Sequence, residues 1–303
     1  MPCYTPIRAW RGKKLPSGKR AVVFKASERA PALVDAELTL PCGHCIGCYL
    51  ERGRQWAMRC VAEASCWKRN CFVTLTYDDP HLPLDGGLRL SDWQLFMKRL
   101  RKYARGVRIR YFMCGGYGEL KKRPHFHACL FNWDFADKVL WSIRKDVRLY
   151  RSPRLEKLWG KGFATVGDVT FESAGYVARY VLKKVSGGLV VEGDLVDKSS
   201  GVAVPKEFTT MSRGGRLKDK NLGGIGKVWF DKYKDDLYPS DFNVVRGVKC
   251  KPARFLYAHL YAELAYHQQQ HTIVVHHDIL QSMESCIQLL DESILIQIDT
   301  LLS

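Results

Sequence analysis

The sequence predicts an α+β fold with a central, mainly antiparallel sheet flanked by helices. Three observations lead there: short apolar runs rich in β-branched residues, stretches with apolar residues at helical spacing between them, and glycine and proline where neighbouring runs must be joined. With 303 residues, 46% hydrophobic and 26% charged, the chain can bury a real core and is neither disordered nor fibrous.

Residues 1–51 read as an irregular segment, punctuated by Pro2, Pro6, Pro16, Pro31 and Pro41, with Cys3, Cys42, Cys45 and Cys48 at its two ends. Residues 52–67 are helical, because Trp56, Cys60 and Ala64 recur at helical spacing and neither Gly nor Pro interrupts 55–64. The run Cys71-Phe-Val-Thr-Leu-Thr-Tyr77 reads as a buried strand ending at Asp78-Asp79-Pro80. Ser91 is the expected N-cap of a second helix with Trp93, Phe96, Met97, Leu100 and Tyr103 on one face and Lys98, Arg99, Arg101 and Lys102 towards its C-terminus.

Two strands, 108–114 and 125–131, follow, joined as a hairpin through Gly115 to Pro124. Residues 136–150 look helical and 162–170 look like a strand. Residues 172–185 read as a helix with Gly187 and Gly188 beyond its end. The expected organisation is thus the segment 1–51, a structured core over 52–190, a basic extension over 191–266 and a tail, 267–303, without assigned role. The Ile- and Leu-rich part of that tail suits an amphipathic helix for packing or self-association.

The chain carries 48 Lys+Arg against 31 Asp+Glu, a net charge of +17, and every Lys and Arg lies before residue 267. A positive field of that size favours a polyanion, most commonly nucleic acid. Aromatics make up 12%, and several stand beside or within three residues of Lys or Arg (Tyr103, Tyr111, Trp141, Tyr150, Trp159), which suits stacking on unpaired bases. The alternative is a solvated basic surface over an aromatic core. No apolar run reaches the roughly 18 residues of a spanning helix, and the opening Met-Pro-Cys-Tyr lacks the layout of a secretory signal. A cytosolic, reducing address is expected, in which the eleven cysteines are thiols or metal ligands.

Three constellations could carry chemistry. In Arg123-Pro-His-Phe-His-Ala-Cys-Leu-Phe131, a strand's period of two puts His125, His127, Cys129 and Phe131 on one face and Phe126, Ala128 and Leu130 on the other. Two adjacent imidazoles can hold a divalent cation if an oxygen ligand completes the set; otherwise they are histidines of a packed strand. On the helix 172–185, Tyr176 and Tyr180 share a face, with Lys183 and Lys184 a turn further on. A phenol, with a pKa of about 10, needs nearby positive charge or a base to act as a nucleophile, and an aromatic ridge packed on the sheet is the other reading. Third, Cys42, Cys45 and Cys48, with His44 among them, have metal-ligand spacing, and Cys3 can close a four-thiolate zinc site across a long loop; the alternative is reduced thiols packed in a basic segment.

Together these features resemble the HUH endonuclease superfamily and, more narrowly, the replication initiation proteins of gokushovirus-type microviruses. The resemblance runs over most of 1–260 and rests on residues 71–77, Arg123-Pro-His-Phe-His127 and Tyr176-Val-Ala-Arg-Tyr180-Val-Leu-Lys-Lys184. It includes Cys42-Gly-His-Cys-Ile-Gly-Cys48, Gln55-Trp-Ala-Met-Arg59, Leu95-Phe-Met-Lys-Arg99 and Tyr238-Pro-Ser-Asp-Phe242. It implies an HUH nuclease core over 52–190 that nicks one strand of origin DNA, leaving a 5′ phosphate on tyrosine and a 3′ hydroxyl that primes rolling-circle synthesis. His125 and His127 become ligands of Mg²⁺ or Mn²⁺, Tyr176 and Tyr180 the nucleophiles, and Lys183 or Lys184 a brace for phosphate charge. Single-stranded or origin DNA and the host replication machinery are the implied partners, without membrane involvement, in the cytoplasm of a bacterial host.

One departure stands out. Family members commonly read Gly-Glu-Tyr-Gly before the histidine strand, but this chain reads Gly115-Gly116-Tyr117-Gly118-Glu119. Glu119 is the nearest substitute ligand, with Asp78, Asp79 or Glu172 as others; two imidazoles without a carboxylate suit Mg²⁺ poorly. A non-catalytic single-strand-binding protein and a related tyrosine transposase or relaxase are the rival functions.

Overall fold

The structure, a computed structural model, describes residues 3–14, 20–24, 37–118, 122–144, 147–185, 207–214, 216–217, 220–221, 223–237, 242–245, 247–257 and 259–260; the side chains of 14, 20, 144, 179–185, 216–217 and 220–221 lie outside that description. The chain divides into two units, one of residues 1–51 with 235–303 and one of residues 52–234.

In the first unit β1 (Ile7–Lys14) pairs antiparallel with both β2 (Arg20–Val23) and β3 (Glu37–Leu40). The irregular segment expected over 1–51 is therefore corrected to a small sheet. Its strands interleave Arg8, Arg11 and Lys13 with apolar residues and bury Ala9 as their one core side chain among the described residues, so no alternating signal betrays them.

The second unit centres on a sheet that, among the described residues, has seven strands, every pairing antiparallel. They are β4 (Asn70–Thr76), β5 (Arg110–Tyr117), β6 (Pro124–Phe131), β7 (Val139–Arg144), β8 (Val147–Arg151), β9 (Ala164–Gly167) and β10 (Phe208–Met211). Their spatial order is β10-β5-β6-β4-β9-β8-β7, which sets the histidine strand β6 between β5 and β4.

Helices cover both faces of this sheet. One face receives α2 (Leu90–Tyr103) and α3 (Pro153–Trp159): Val73, Leu75, Phe126, Ala128 and Leu130 pack there against Trp93, Phe96, Leu100, Leu155 and Trp159, all nearly without solvent exposure. The other face receives α1 (Ile46–Ser65) and α4 (Phe171–Val185), with Ala57, Cys60, Ala174, Val177 and Ala178 packed on Phe112, Cys114, Cys129 and Phe131. The two faces of 125–131 thus fall as the strand period dictates.

Two expectations are corrected. Residues 136–150 are not a helix but the hairpin β7–β8, held to the sheet where Tyr150 pairs with Val166 of β9. An open sheet edge beside Val139, Ile143 and Val147 outweighs local helical spacing. Ser91 is not the N-cap of α2: the helix begins at Leu90 and its N-cap is Arg89, which makes no side-chain cap bond. Asp92 instead faces the first-turn dipole and accepts a hydrogen bond from the Tyr77 hydroxyl at 2.7 Å. Among the described residues no helix is long and apolar enough to cross a membrane.

Candidate functional site

The site is built on the α1/α4 face of the sheet. Opposite residues of an antiparallel pair share a face, so the pairings Thr76↔His125, Thr74↔His127, Cys114↔His127 and Gly116↔His125 put all six of these residues on the same side. The imidazoles of His125 and His127 stand edge to face, with ring centroids 4.6 Å apart.

Each imidazole is oriented by a neighbour. His125 Nδ1 lies 3.0 Å from the Arg123 carbonyl oxygen, which only accepts, so Nδ1 is the donor and Nε2 is the nitrogen left to face the site. His127 Nδ1 bonds the Thr74 hydroxyl at 2.9 Å, and its ring stacks near Phe72 with centroids 5.7 Å apart. Burial, reinforced by His125, pulls the His127 pKa down from 6.5 to about 3.

That shift predicts a pH dependence. The unfolded ring accepts a proton that the folded ring refuses, so this contribution is complete above about pH 6.5 and is lost as the pH falls towards 3. Urea melts of metal-free protein are expected to show falling stability across that window, with a shallower fall in His127→Gln. An equal fall in that variant would assign the titration to another group.

Helix α4 brings the tyrosine. It opens with a reciprocal cap: Ser173 N–H donates to the Thr170 hydroxyl at 3.2 Å and Thr170 N–H donates to the Ser173 hydroxyl at 2.8 Å, a capping box with Ser in the usual Glu place. Ala174, Val177 and Ala178 bury the helix face, which leaves Tyr176 at the rim, 36% exposed. Its ring meets the edge of His127 with centroids 4.8 Å apart, so residues 49 positions apart in sequence converge.

Other candidates fall differently. Tyr180, Lys183 and Lys184 follow Tyr176 along α4, and their side chains lie outside the described residues, as does Glu119. Asp78 is hydrogen-bonded to the backbone and the ring of His81, and Asp79 is ion-paired with Arg123. Glu172 is exposed in the first turn of α4.

Sequence reasoning missed Glu207. Phe208 pairs with Gly115 of β5, so Glu207 comes next along the register, abreast of Gly116, and its Oε1 accepts from the Tyr117 N–H at 3.1 Å. A carboxylate 90 residues away thus comes beside the β5 end that carries Gly116, with no local signal to announce it, although among the described residues it does not group its oxygens with His125 and His127.

Among the described residues, one group of three or more His, Cys, Asp or Glu places its ligand atoms together: Cys3, Cys42, Cys45 and Cys48, all within 4.8 Å of one another. His44 is exposed and outside this group. The Thr5 hydroxyl, with the backbone N–H groups of His44 and Cys45, pulls the Cys42 thiol down to about 5, whereas burial pushes Cys48 up to about 12. On the α2/α3 side of the sheet, Arg99, Lys102, Arg154 and Lys157 line a cleft of about 870 Å³ with Tyr103 and Trp133.

Comparison with known proteins bears on these elements. The family model "Replication-associated protein ORF2/G2P" matches residues 70–185, from the start of β4 to the end of α4. Replication-associated protein VP4 of Bdellovibrio phage phiMH2K is 32% identical over 253 residues, covering 81% of this chain and 72% of that protein. Replication-associated protein ORF2 of Spiroplasma virus 4 is 34% identical over 224 residues, covering 70% and 64%. Replication-associated protein ORF4 of Chlamydia phage 1 is 34% identical over 184 residues, covering 58% and 45%. No solved structure matches.

Proposed function

This chain belongs to the replication-associated protein family of gokushovirus-type microviruses, and we propose that it nicks one strand of origin DNA through a tyrosine to start rolling-circle replication. The observation that carries this reading is Tyr176 against His127, ring centroids 4.8 Å apart, with His125 beside them.

In the proposed reaction the Tyr176 hydroxyl oxygen attacks the scissile phosphorus, the bond from phosphorus to the 3′ oxygen breaks, and that oxygen takes up a proton to become a free hydroxyl. The tyrosine proton passes to solvent or a neighbouring base. The 5′ phosphate stays on tyrosine, so the energy of the cleaved ester is conserved and a 3′ hydroxyl can later rejoin the strand without ATP. Tyr180 serves as the second nucleophile, and Lys183 or Lys184 steadies the phosphate charge.

His125 and His127 offer two neutral nitrogen donors to Mg²⁺ or Mn²⁺, which when bound supplies Lewis-acid polarisation of the phosphate. The chain's own part is to keep those donors ready: burial holds His127 neutral, and the Arg123 carbonyl keeps the His125 proton on Nδ1. We infer that Glu207, held beside Gly116 by the Tyr117 N–H, swings in as the oxygen ligand when metal binds, since among the described residues its carboxylate is not grouped with the two histidines. Glu207→Gln should weaken Mn²⁺ binding on the order of 10-fold by titration calorimetry, and Gly116→Glu in that background should restore it. Unchanged affinity in Glu207→Gln would leave Glu119 as the donor.

The net charge of +17 supports a single-stranded DNA substrate, and the basic cleft of Arg99, Lys102, Arg154 and Lys157, on the sheet face opposite the histidines, could hold only a stretch of strand away from the scissile phosphate. The setting is the cytoplasm of a bacterial host, alongside the host replication machinery. Gly116 favours one other reading, a single-strand-binding protein without catalysis. Incubation with labelled single-stranded origin DNA and Mn²⁺, followed by a denaturing gel, separates the two. A metal-dependent, denaturation-resistant adduct is expected, and salt-sensitive binding with no adduct would decide for the binding protein.

A further inference from the structure

The sulfurs of Cys3 and Cys45 are 3.8 Å apart and those of Cys42 and Cys48 are 4.0 Å apart. A disulfide holds its sulfurs about 2.05 Å apart, so these are not bonded pairs. A tetrahedral zinc ion with Zn–S bonds of about 2.3 Å spaces its four sulfurs about 3.8 Å from one another; two of the pairs stand close to that distance and all four sulfurs lie within 4.8 Å of one another.

The backbone around the cluster is shaped for sulfurs that accept. Cys45 N–H donates to Cys42 Sγ at 3.3 Å, Cys42 N–H to Cys3 Sγ at 3.3 Å, and Tyr4 and Cys48 N–H to Cys45 Sγ at 3.4 and 3.5 Å. The Thr5 hydroxyl adds a donor to Cys42 Sγ at 3.2 Å. Gly43, at φ 75°, takes the left-handed turn that folds Cys45 back towards Cys42, a conformation costly for a residue with a Cβ.

We propose that Cys3, Cys42, Cys45 and Cys48 bind one structural Zn²⁺ that closes the chain around the sheet β1–β3. Among the described residues of that sheet, Ala9 is the one buried apolar side chain. A sheet with so small a core gains from a cross-link, and metal binding energy becomes folding energy there. Four thiolates with no open position make the site structural, and its occupancy is independent of the nicking reaction. His44, exposed between the ligands, takes no part.

The test uses the full chain purified without a chelator. Elemental analysis should give about one zinc per chain, and X-ray absorption at the zinc edge should give four sulfurs at about 2.3 Å. Cobalt exchanged into the protein should show thiolate-to-metal charge transfer and the strong d–d bands of a tetrahedral site, retained in His44→Ala and lost in Cys45→Ser. A zinc-free protein with four freely titrating thiols at these positions, a mixed sulfur and nitrogen shell, or iron in place of zinc would each overturn the proposal. Because wild-type absorption reads the site directly, misfolding of Cys45→Ser leaves the test intact. A zinc-free protein that still forms the DNA adduct would sink this site alone.

Discussion

In the double variant Tyr176→Phe/Tyr180→Phe, formation of the denaturation-resistant protein–DNA product is expected to fall on the order of 10³-fold or more, while salt-sensitive binding to single-stranded DNA is retained. Phenylalanine keeps the ring that meets His127 and leaves the buried face of α4, Ala174, Val177 and Ala178, as it was. At Tyr176 the change therefore removes the proposed nucleophilic oxygen and little else. Because the Tyr176 ring meets His127, Tyr176→Phe alone should sharply lower the first cleavage. An adduct that survives in the double variant would end the tyrosine mechanism.

The second large effect concerns stability. Glu63 of α1 and Arg110 of β5 form an ion pair at 2.7 Å with side chains 0% and 2% exposed. Glu63 also accepts from the Gly226 N–H at 2.8 Å and the Trp67 indole at 2.9 Å, and Arg110 donates to the Gly223 and Gly224 carbonyls. Glu63→Ala leaves a guanidinium buried without its counter-charge and should cost about 3–5 kcal/mol in urea unfolding. Glu63→Gln, which keeps an acceptor, should cost less. A loss below about 1 kcal/mol for Glu63→Ala would show that the carboxylate is not what holds α1 to the sheet there.

Much of the site could be read locally. The split of 125–131 into a histidine face and a core face depends only on the strand period, and both faces stand as expected in β6. The helix carrying Tyr176 begins and ends close to where its pattern and the glycines beyond it indicate. The cysteine group was legible as a spacing, and the fold brings Cys3 to it. The strands of 7–40 were not legible, because their side chains are mostly solvated and leave no alternation.

The sequence by itself determined which residues share a face, because side-chain periodicity is a property of the local backbone. Tertiary structure decided which faces meet. It made 139–151 a hairpin at a sheet edge, set Glu207 abreast of Gly116, locked Glu63 to Arg110 and carried Tyr176 onto His127. Those outcomes depend on strand pairing and burial between segments far apart in the chain, and the energy of such contacts is not written in any short stretch of residues.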